Sequence, residues 1–270
     1  MLPKDRPDDE HIGTRDLASW PTGFGRWLVR LGLRVATWTT AHGVLVLTAA
    51  VGLVIAVTAT WATGEVYESI TEAGPLAALD QRALDLAVSW RSPGLDTAVT
   101  HFTDVGGPVG MPILALVATV IMTVAWRSRT PVILMVIAAI GSLAMTTVGK
   151  DLVGRARPPL SLAVPPYETS PSFPSGHTLN AVVITGIVVY LVLRRLVHTL
   201  ARAAVLAAGV VFAVAMSLSR VYLGHHWLTD VLAGWLLGLG WLAAVITAHR
   251  LFLTVQRSHA DRRTPATTAP

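Results

Sequence analysis

The sequence predicts an all-α polytopic membrane protein: six transmembrane helices in a bundle, with both termini cytoplasmic. Three observations carry this expectation. Hydrophobic residues make up 53% of the 270 positions and charged residues only 14%, a balance far from that of a soluble domain. Six apolar runs, at 43–62, 108–126, 131–149, 178–193, 200–218 and 228–249, approach the length needed to cross a bilayer. Of the 21 Lys and Arg, only Arg82, Arg91, Lys150, Arg155, Arg157 and Arg220 fall in one set of connections, and the remaining fifteen (21 − 6) fall in the other. Positive residues concentrate on the cytoplasmic side, so the richer set, which holds both termini, is expected inside.

Residues 1–42 form the first expected unit, a cytoplasmic tail. Its beginning is polar, with Pro3, Pro7 and the acidic Asp8-Asp9-Glu10 run, the composition of a loosely ordered segment. Phe24, Trp27, Leu28, Leu31, Val35 and Trp38 then recur at helical spacing, while Arg26, Arg30 and Arg34 recur every fourth residue on another face. This pattern predicts an interfacial amphipathic helix whose arginines meet anionic membrane lipids.

The second unit, 43–250, holds the six spans. The run at 43–62 is preceded by so much polar and amphipathic chain that it reads as a retained signal anchor. Residues 63–107 are the longest connection, with apolar patterning around 76–88 that predicts a short surface helix and Pro93-Gly94 as its breaker. The third unit, 251–270, is a polar cytoplasmic tail expected to be disordered. The absence of cysteine rules out disulfides and thiolate metal sites. The formal charge of +5 is spread in short groups beside the apolar runs. No basic domain gathers, and no nucleic-acid partner is expected.

The stretch 150–177, KDLVGRARPPLSLAVPPYETSPSFPSGH, concentrates cations between two apolar runs, an arrangement suited to an anionic phosphate. Lys150 and Arg157 project from one face if the helix over 131–149 continues outward to Pro158. Ser175 is placed as the N-cap of the next helix. Gly176 lets backbone approach a ligand closely, so free N–H groups can cradle an anion. His226 and Asp230 form an i,i+4 pair, in which the carboxylate holds one imidazole nitrogen and leaves the other free to attack. His225 has Thr229 in the equivalent place, which favours His226 as the nucleophile. Arg155 fits no pattern and reads as an interfacial residue at a helix end. Trp227, Trp235 and Trp241 read as bilayer anchors or packing residues.

Two other classes compete. His177, His225, His226 and Asp230 could hold a metal, but Lys150, Arg157 and Arg220 would surround that cation with like charge. A transporter would need ionisable groups deep in its spans, and the middles of these runs carry none.

In three motifs the chain resembles the type 2 phosphatidic acid phosphatases: K-x6-R-P at Lys150 to Arg157-Pro158, P-S-G-H at Pro174 to His177, and S-R-x5-H-x3-D at Ser219-Arg220, His226 and Asp230. The match covers roughly 100–250, in order and at the family's spacing. The resemblance implies a six-helix phosphatase domain in which Lys150, Arg157, Ser175, Gly176 and Arg220 bind phosphate. It implies His226 as nucleophile, Asp230 as its partner and His177 as the acid for the leaving oxygen, with a phosphohistidine intermediate and no metal or other cofactor. Vanadium haloperoxidases look similar at these motifs, but six spans point away from a soluble oxidase. A site at the outer headgroup level of the plasma membrane is expected to take a lipid phosphate laterally. A polyprenyl diphosphate such as undecaprenyl diphosphate is the first expectation, and phosphatidate or phosphatidylglycerol phosphate the second.

Overall fold

The computed structural model describes residues 75–263 without interruption, together with 11–12, 15–16, 20, 22–23, 25–30, 54 and 57–58. Most of the apolar run at 43–62 and most of the expected interfacial helix lie outside the described residues. Among the described residues the regular secondary structure is helical except for a two-residue antiparallel pair, β1 (His11–Ile12) with β2 (Arg15–Asp16). The helices of the bundle are α1 (Pro75–Ser89), α2 (Pro93–Val105), α3 (Gly110–Trp126), α4 (Thr130–Val153), α5 (Gly176–Leu193), α6 (Thr199–Tyr222) and α7 (Leu228–Arg263).

Local chemistry sets the boundaries. Ser92 caps α2, its hydroxyl accepting from Leu95 N–H at 3.4 Å, and Pro93 occupies the first turn. The Pro93-Gly94 pair thus ends one helix and starts another, and the expected long connection at 63–107 contains both α1 and α2. Helix α4 stops at Gly154, which is left-handed (φ +60°) and donates its N–H to Lys150 O. Continuation to Pro158 is therefore corrected: the glycine ends the helix four residues earlier, and a residue before proline disfavours helical backbone. Helix α7 passes through 251–263, which was expected as disordered tail. Leu253 and Val255 are buried there, and Trp20 donates to Thr254 Oγ1 at 3.3 Å while its ring faces the Arg250 guanidinium at 4.3 Å.

Helices α4, α5, α6 and the Leu228–Gln256 part of α7 are each long and apolar enough to cross a membrane. Helices α2 and α3 meet at a 50° bend and make a fifth crossing if counted together. The described residues thus hold four or five spans. Helix α5 is central, packed against α3, α4, α6 and α7. Its stripe of Leu179, Val183, Ile187 and Leu191, spaced four apart, is closed to solvent. Ile113, Leu116 and Ile121 on α3, Ile140 and Leu143 on α4, and Val211 and Leu218 on α6 are all more than half exposed. Such an apolar belt is stable facing hydrocarbon rather than water. The C-termini of α4 and α6 and the N-termini of α5 and α7 meet at one end of the bundle. Helix α1 lies across that end, against α6 and α7.

Candidate active site

The loop over 154–175 roofs this end and is held down by its own backbone and by Arg91. Val164 N–H donates to Leu223 O at 2.9 Å and Ser172 N–H to Arg155 O at 2.8 Å. Arg91 reaches Tyr222 O (2.6 Å) and Leu162 O (2.6 Å). Beneath the loop, Gly224 adopts φ +71°, and a Cβ there would stand 2.4 Å from Leu162 O, so the turn from α6 to α7 requires glycine. The turn brings His225 and His226 back over α6, both backbone N–H groups donating to Arg220 O (3.0 and 3.2 Å).

The two histidines have different surroundings. His225 Nε2 lies 2.7 Å from Val164 O. Burial and the Arg220 charge hold this imidazole down at about 4, against the opposing pull of the Val164 carbonyl. Its ring is committed to the loop. His226 Nε2 instead faces Arg157 Nη1 at 3.4 Å. Arginine only donates, so this nitrogen is assigned as the acceptor and the ring proton goes to Nδ1. Burial, then Arg220, Arg157 and Lys150, hold His226 well below the ordinary histidine range. It is therefore neutral at neutral pH, with the Nε2 lone pair turned toward Arg157.

Lys150, Arg157 and Arg220 converge, although Arg157 stands on the loop rather than on α4. Lys150 Nζ donates to Ser170 Oγ at 3.0 Å and also to Pro171 O. Arg157 donates to Ser170 O (2.7 Å), Ser170 Oγ (3.1 Å), His225 O (2.6 Å) and Glu168 Oε2 (3.3 Å). Arg220, buried to 1% exposure, donates to Thr103 Oγ1 at 3.0 Å and to Glu168 Oε1. The Glu168 carboxylate thus fills the anion position between two guanidiniums. Burial alone would push its pKa up, but Arg220 and Arg157 outweigh it and hold the group at about 2. His177 stands at the start of α5. Its Nε2 lies against Gly107, where a Cβ would come within 3.5 Å. Ser175 caps α5 as its sequence position predicts, accepting from Thr178 N–H at 3.5 Å, and its own N–H donates to Asp230 O at 3.1 Å. The first-turn N–H groups of Gly176 and His177 have no intrahelical acceptor.

Asp230 belongs to a second, tighter cluster. Its Oδ1 accepts from Arg155 Nη1 at 2.6 Å, and its Oδ2 from Ser172 Oγ at 2.5 Å and Trp227 N–H at 2.9 Å. His226 Nδ1 stands 3.5 Å from Oδ2 and makes no hydrogen bond among the described residues. The contact has ion-pair distance without hydrogen-bond geometry, so the hold of Asp230 on the ring expected from the i,i+4 spacing is not made here: Oδ2 already serves Ser172 and Trp227. Arg155 overturns its sequence reading as an interfacial residue. It is 8% exposed, salt-bridged to both Asp230 and Asp80 (2.7 Å), with the Trp227 ring 5.6 Å away. Trp227 is correspondingly more than an anchor, since its indole N–H also donates to Ala156 O at 3.0 Å.

Sequence reasoning missed Asp80, Thr103, Arg155, Glu168 and Ser172. Glu168 left one trace, as the sole acid between Asp151 and Asp230. The others left none, because their partners lie far away in the chain. Among the described residues no three His, Asp or Glu side chains form a metal-holding group.

At one end of the membrane-helix bundle, three cations and a neutral histidine gather around one anion, a set of donors whose chemistry matches that of a phosphate group. The chain belongs to the PAP2 superfamily, whose family model matches residues 130–253. It is 31% identical over 163 residues to phosphatidylglycerophosphatase B of Bacillus subtilis, covering 59% of this chain and 78% of that protein. It is 34% identical over 143 residues to undecaprenyl-diphosphatase of Sulfolobus acidocaldarius, covering 51% of this chain and 60% of that one. The crystal structure of a transmembrane PAP2 type phosphatidylglycerolphosphate phosphatase from Bacillus subtilis has the same fold. Its TM-score is 0.59 at 24% identity, over 77% of this chain and 98% of that one.

Proposed function

We propose that the protein is a metal-independent lipid phosphatase that removes a terminal phosphate through a phosphohistidine at the outer face of the plasma membrane. The observation that carries this reading is the Glu168 carboxylate held by Arg157 and Arg220 beside His226 Nε2, because a substrate phosphate needs the same donors in the same place. His226 Nε2 attacks phosphorus. The bond to the leaving oxygen breaks, its electron pair goes with that oxygen, and His177 supplies the proton. Lys150, Arg157, Arg220 and the N–H groups opening α5 stabilise the charge on the transferred group. Water, deprotonated by His177, then cleaves the phosphorus–nitrogen bond, releasing phosphate and restoring both histidines. Lys150, Arg157 and Arg220 make the site inhospitable to a metal cation, and His225 and Asp230 already have other partners.

A lipid substrate is supported by the position of the site at one end of an apolar bundle. Polyprenyl diphosphate is favoured by the outward placement of the site and supported by the Sulfolobus acidocaldarius relative. Phosphatidylglycerol phosphate is the second reading, supported by the Bacillus subtilis relative. The outward site and cytoplasmic termini follow from the positive-inside bias. Phosphate release by purified protein from undecaprenyl diphosphate, phosphatidylglycerol phosphate, phosphatidate and soluble esters tests the substrate class. Faster turnover of soluble esters at equal concentration overturns the lipid assignment. Reporter fusions after Arg129 and within 159–172 test the topology, with an alkaline phosphatase signal expected only from the second.

A further inference from the structure

Asp80 lies on α1, outside the 130–253 match, yet it is 2% exposed and uses both carboxylate oxygens. Its Oδ1 accepts from Thr229 N–H at 2.8 Å, and its Oδ2 from Thr229 Oγ1 and Arg155 Nη2, each at 2.7 Å. Arg155 Nη1 in turn reaches Thr229 Oγ1 at 2.7 Å and Asp230 Oδ1 at 2.6 Å. The connection therefore runs Asp80, Arg155, Asp230, His226. We infer that Asp80 is a positioning residue for the reaction: through Arg155 it sets the orientation and effective charge of the carboxylate behind the nucleophilic histidine.

The argument is one of charge and geometry. A buried carboxylate is costly unless paired, and α1 could dock through Leu84 and its apolar neighbours alone. With Asp80 present, Arg155 is shared between two acids and the triad carries one net negative charge facing His226 Nδ1. With Asn at position 80 the triad is neutral, Arg155 leans wholly on Asp230, and the imidazole becomes less basic. The other charged or titratable groups around His226 are Lys150 from α4, Arg157 and Glu168 from the roofing loop, His177 from α5, Arg220 from α6 and the adjacent His225. Asp80→Asn touches none of them. Lower basicity weakens the nucleophile and lets it stay unprotonated to more acidic pH.

This inference rests on His226 as nucleophile. The test is phosphate release from undecaprenyl diphosphate, phosphatidylglycerol phosphate and phosphatidate in mixed micelles by the full chain, as wild type, Asp80→Asn, Asp80→Glu and His226→Ala. Asp80→Asn is expected to lower kcat about 10- to 100-fold with KM nearly unchanged, and to move the acid limb of kcat/KM to lower pH. Asp80→Glu, which keeps the charge, is expected to keep the wild-type acid limb and recover part of kcat. Should Asp80→Asn fail to fold, Arg155→Lys carries the test: it keeps the charge but replaces the planar fork, whose two nitrogens reach Asp230 and Asp80 separately, with one nitrogen on a shorter side chain, and its kcat is expected to fall at unchanged KM. Wild-type kcat and acid limb in a folded Asp80→Asn protein, or wild-type kcat in Arg155→Lys, overturn the inference. Activity in His226→Ala, or none in the wild type, instead overturns the reading beneath it.

Discussion

Two clusters of arginine and carboxylate lie side by side at the same end of the bundle. In one, Arg157 and Arg220 share Glu168, which is 30% exposed and stands 3.3 Å from Arg157. In the other, Arg155 is shared by Asp80 and Asp230, both nearly closed to solvent, at 2.7 and 2.6 Å. The first has cations in excess and an acid on a loop. The second has acids in excess, and its members stand on or beside helices with every carboxylate oxygen occupied. The same residue types therefore serve opposite purposes: an accessible acid among surplus cations marks a place where an anion can be exchanged, and a sealed, saturated pair holds its neighbours still.

The largest effect that would break this division is expected at His226. His226→Ala should abolish phosphate release and remove the phosphohistidine label, a loss of at least about 1000-fold. Appreciable labelling of that variant would show that the exchange cluster does not serve His226. Next in size is Arg155→Met, which leaves two buried carboxylates uncompensated and should cost about 3–5 kcal/mol of stability, read as a lower thermal unfolding midpoint. Arg157→Met, which leaves Glu168 its second partner Arg220, should lower that midpoint less and should raise KM. Equal destabilisation by both would erase the distinction.

Glu168→Gln sharpens the comparison from the other side. Freed of its own anion, the cradle should bind inorganic phosphate or vanadate about 10-fold more tightly as a competitive inhibitor. Unchanged inhibition would mean that Glu168 does not compete with substrate. Its pKa is held at about 2, below the unfolded value. The pair therefore contributes stability above the ordinary carboxyl range that is lost only as pH falls toward 2. Across the assay range Glu168 stays ionised and should give the activity profile no limb of its own.

The smallest effect concerns that profile. Because burial and the arginines hold His226 below 6.5, the acid limb of kcat/KM should lie below that pH, with activity lost as the nucleophile is protonated. His177 as acid predicts an alkaline limb. A profile still rising through alkaline pH would remove His177 from that role.

Much of this was legible in the chain. The apolar runs from 131 onward and the cap at Ser175 rest on local patterns, and each corresponds to a local feature of the structure; the choice of His226 over His225 as nucleophile rests on local spacing alone. The convergence of Lys150 with Arg157 was also foreseen, but for a different reason. A continuous helix was expected to align them, whereas Gly154 ends α4 and the loop folds Arg157 back to Ser170. Arg155 was misread because its spacing matched nothing nearby. Its partners, Asp80 and Asp230, are each 75 residues away.

The sequence by itself determined the membrane class, the helices that carry the motifs and the residue types able to handle a phosphate. Hydropathy, capping and i,i+4 spacing are set within a few residues and need no knowledge of the rest of the fold. Only the tertiary structure decided which acid is left partly open and which are sealed. That depends on burial and on partners from distant helices: α1 delivering Asp80 to Arg155, and the roofing loop delivering Glu168 to Arg220. An ionisable side chain has no fixed role until its desolvation and its counter-charges are fixed, and both are properties of the packed molecule.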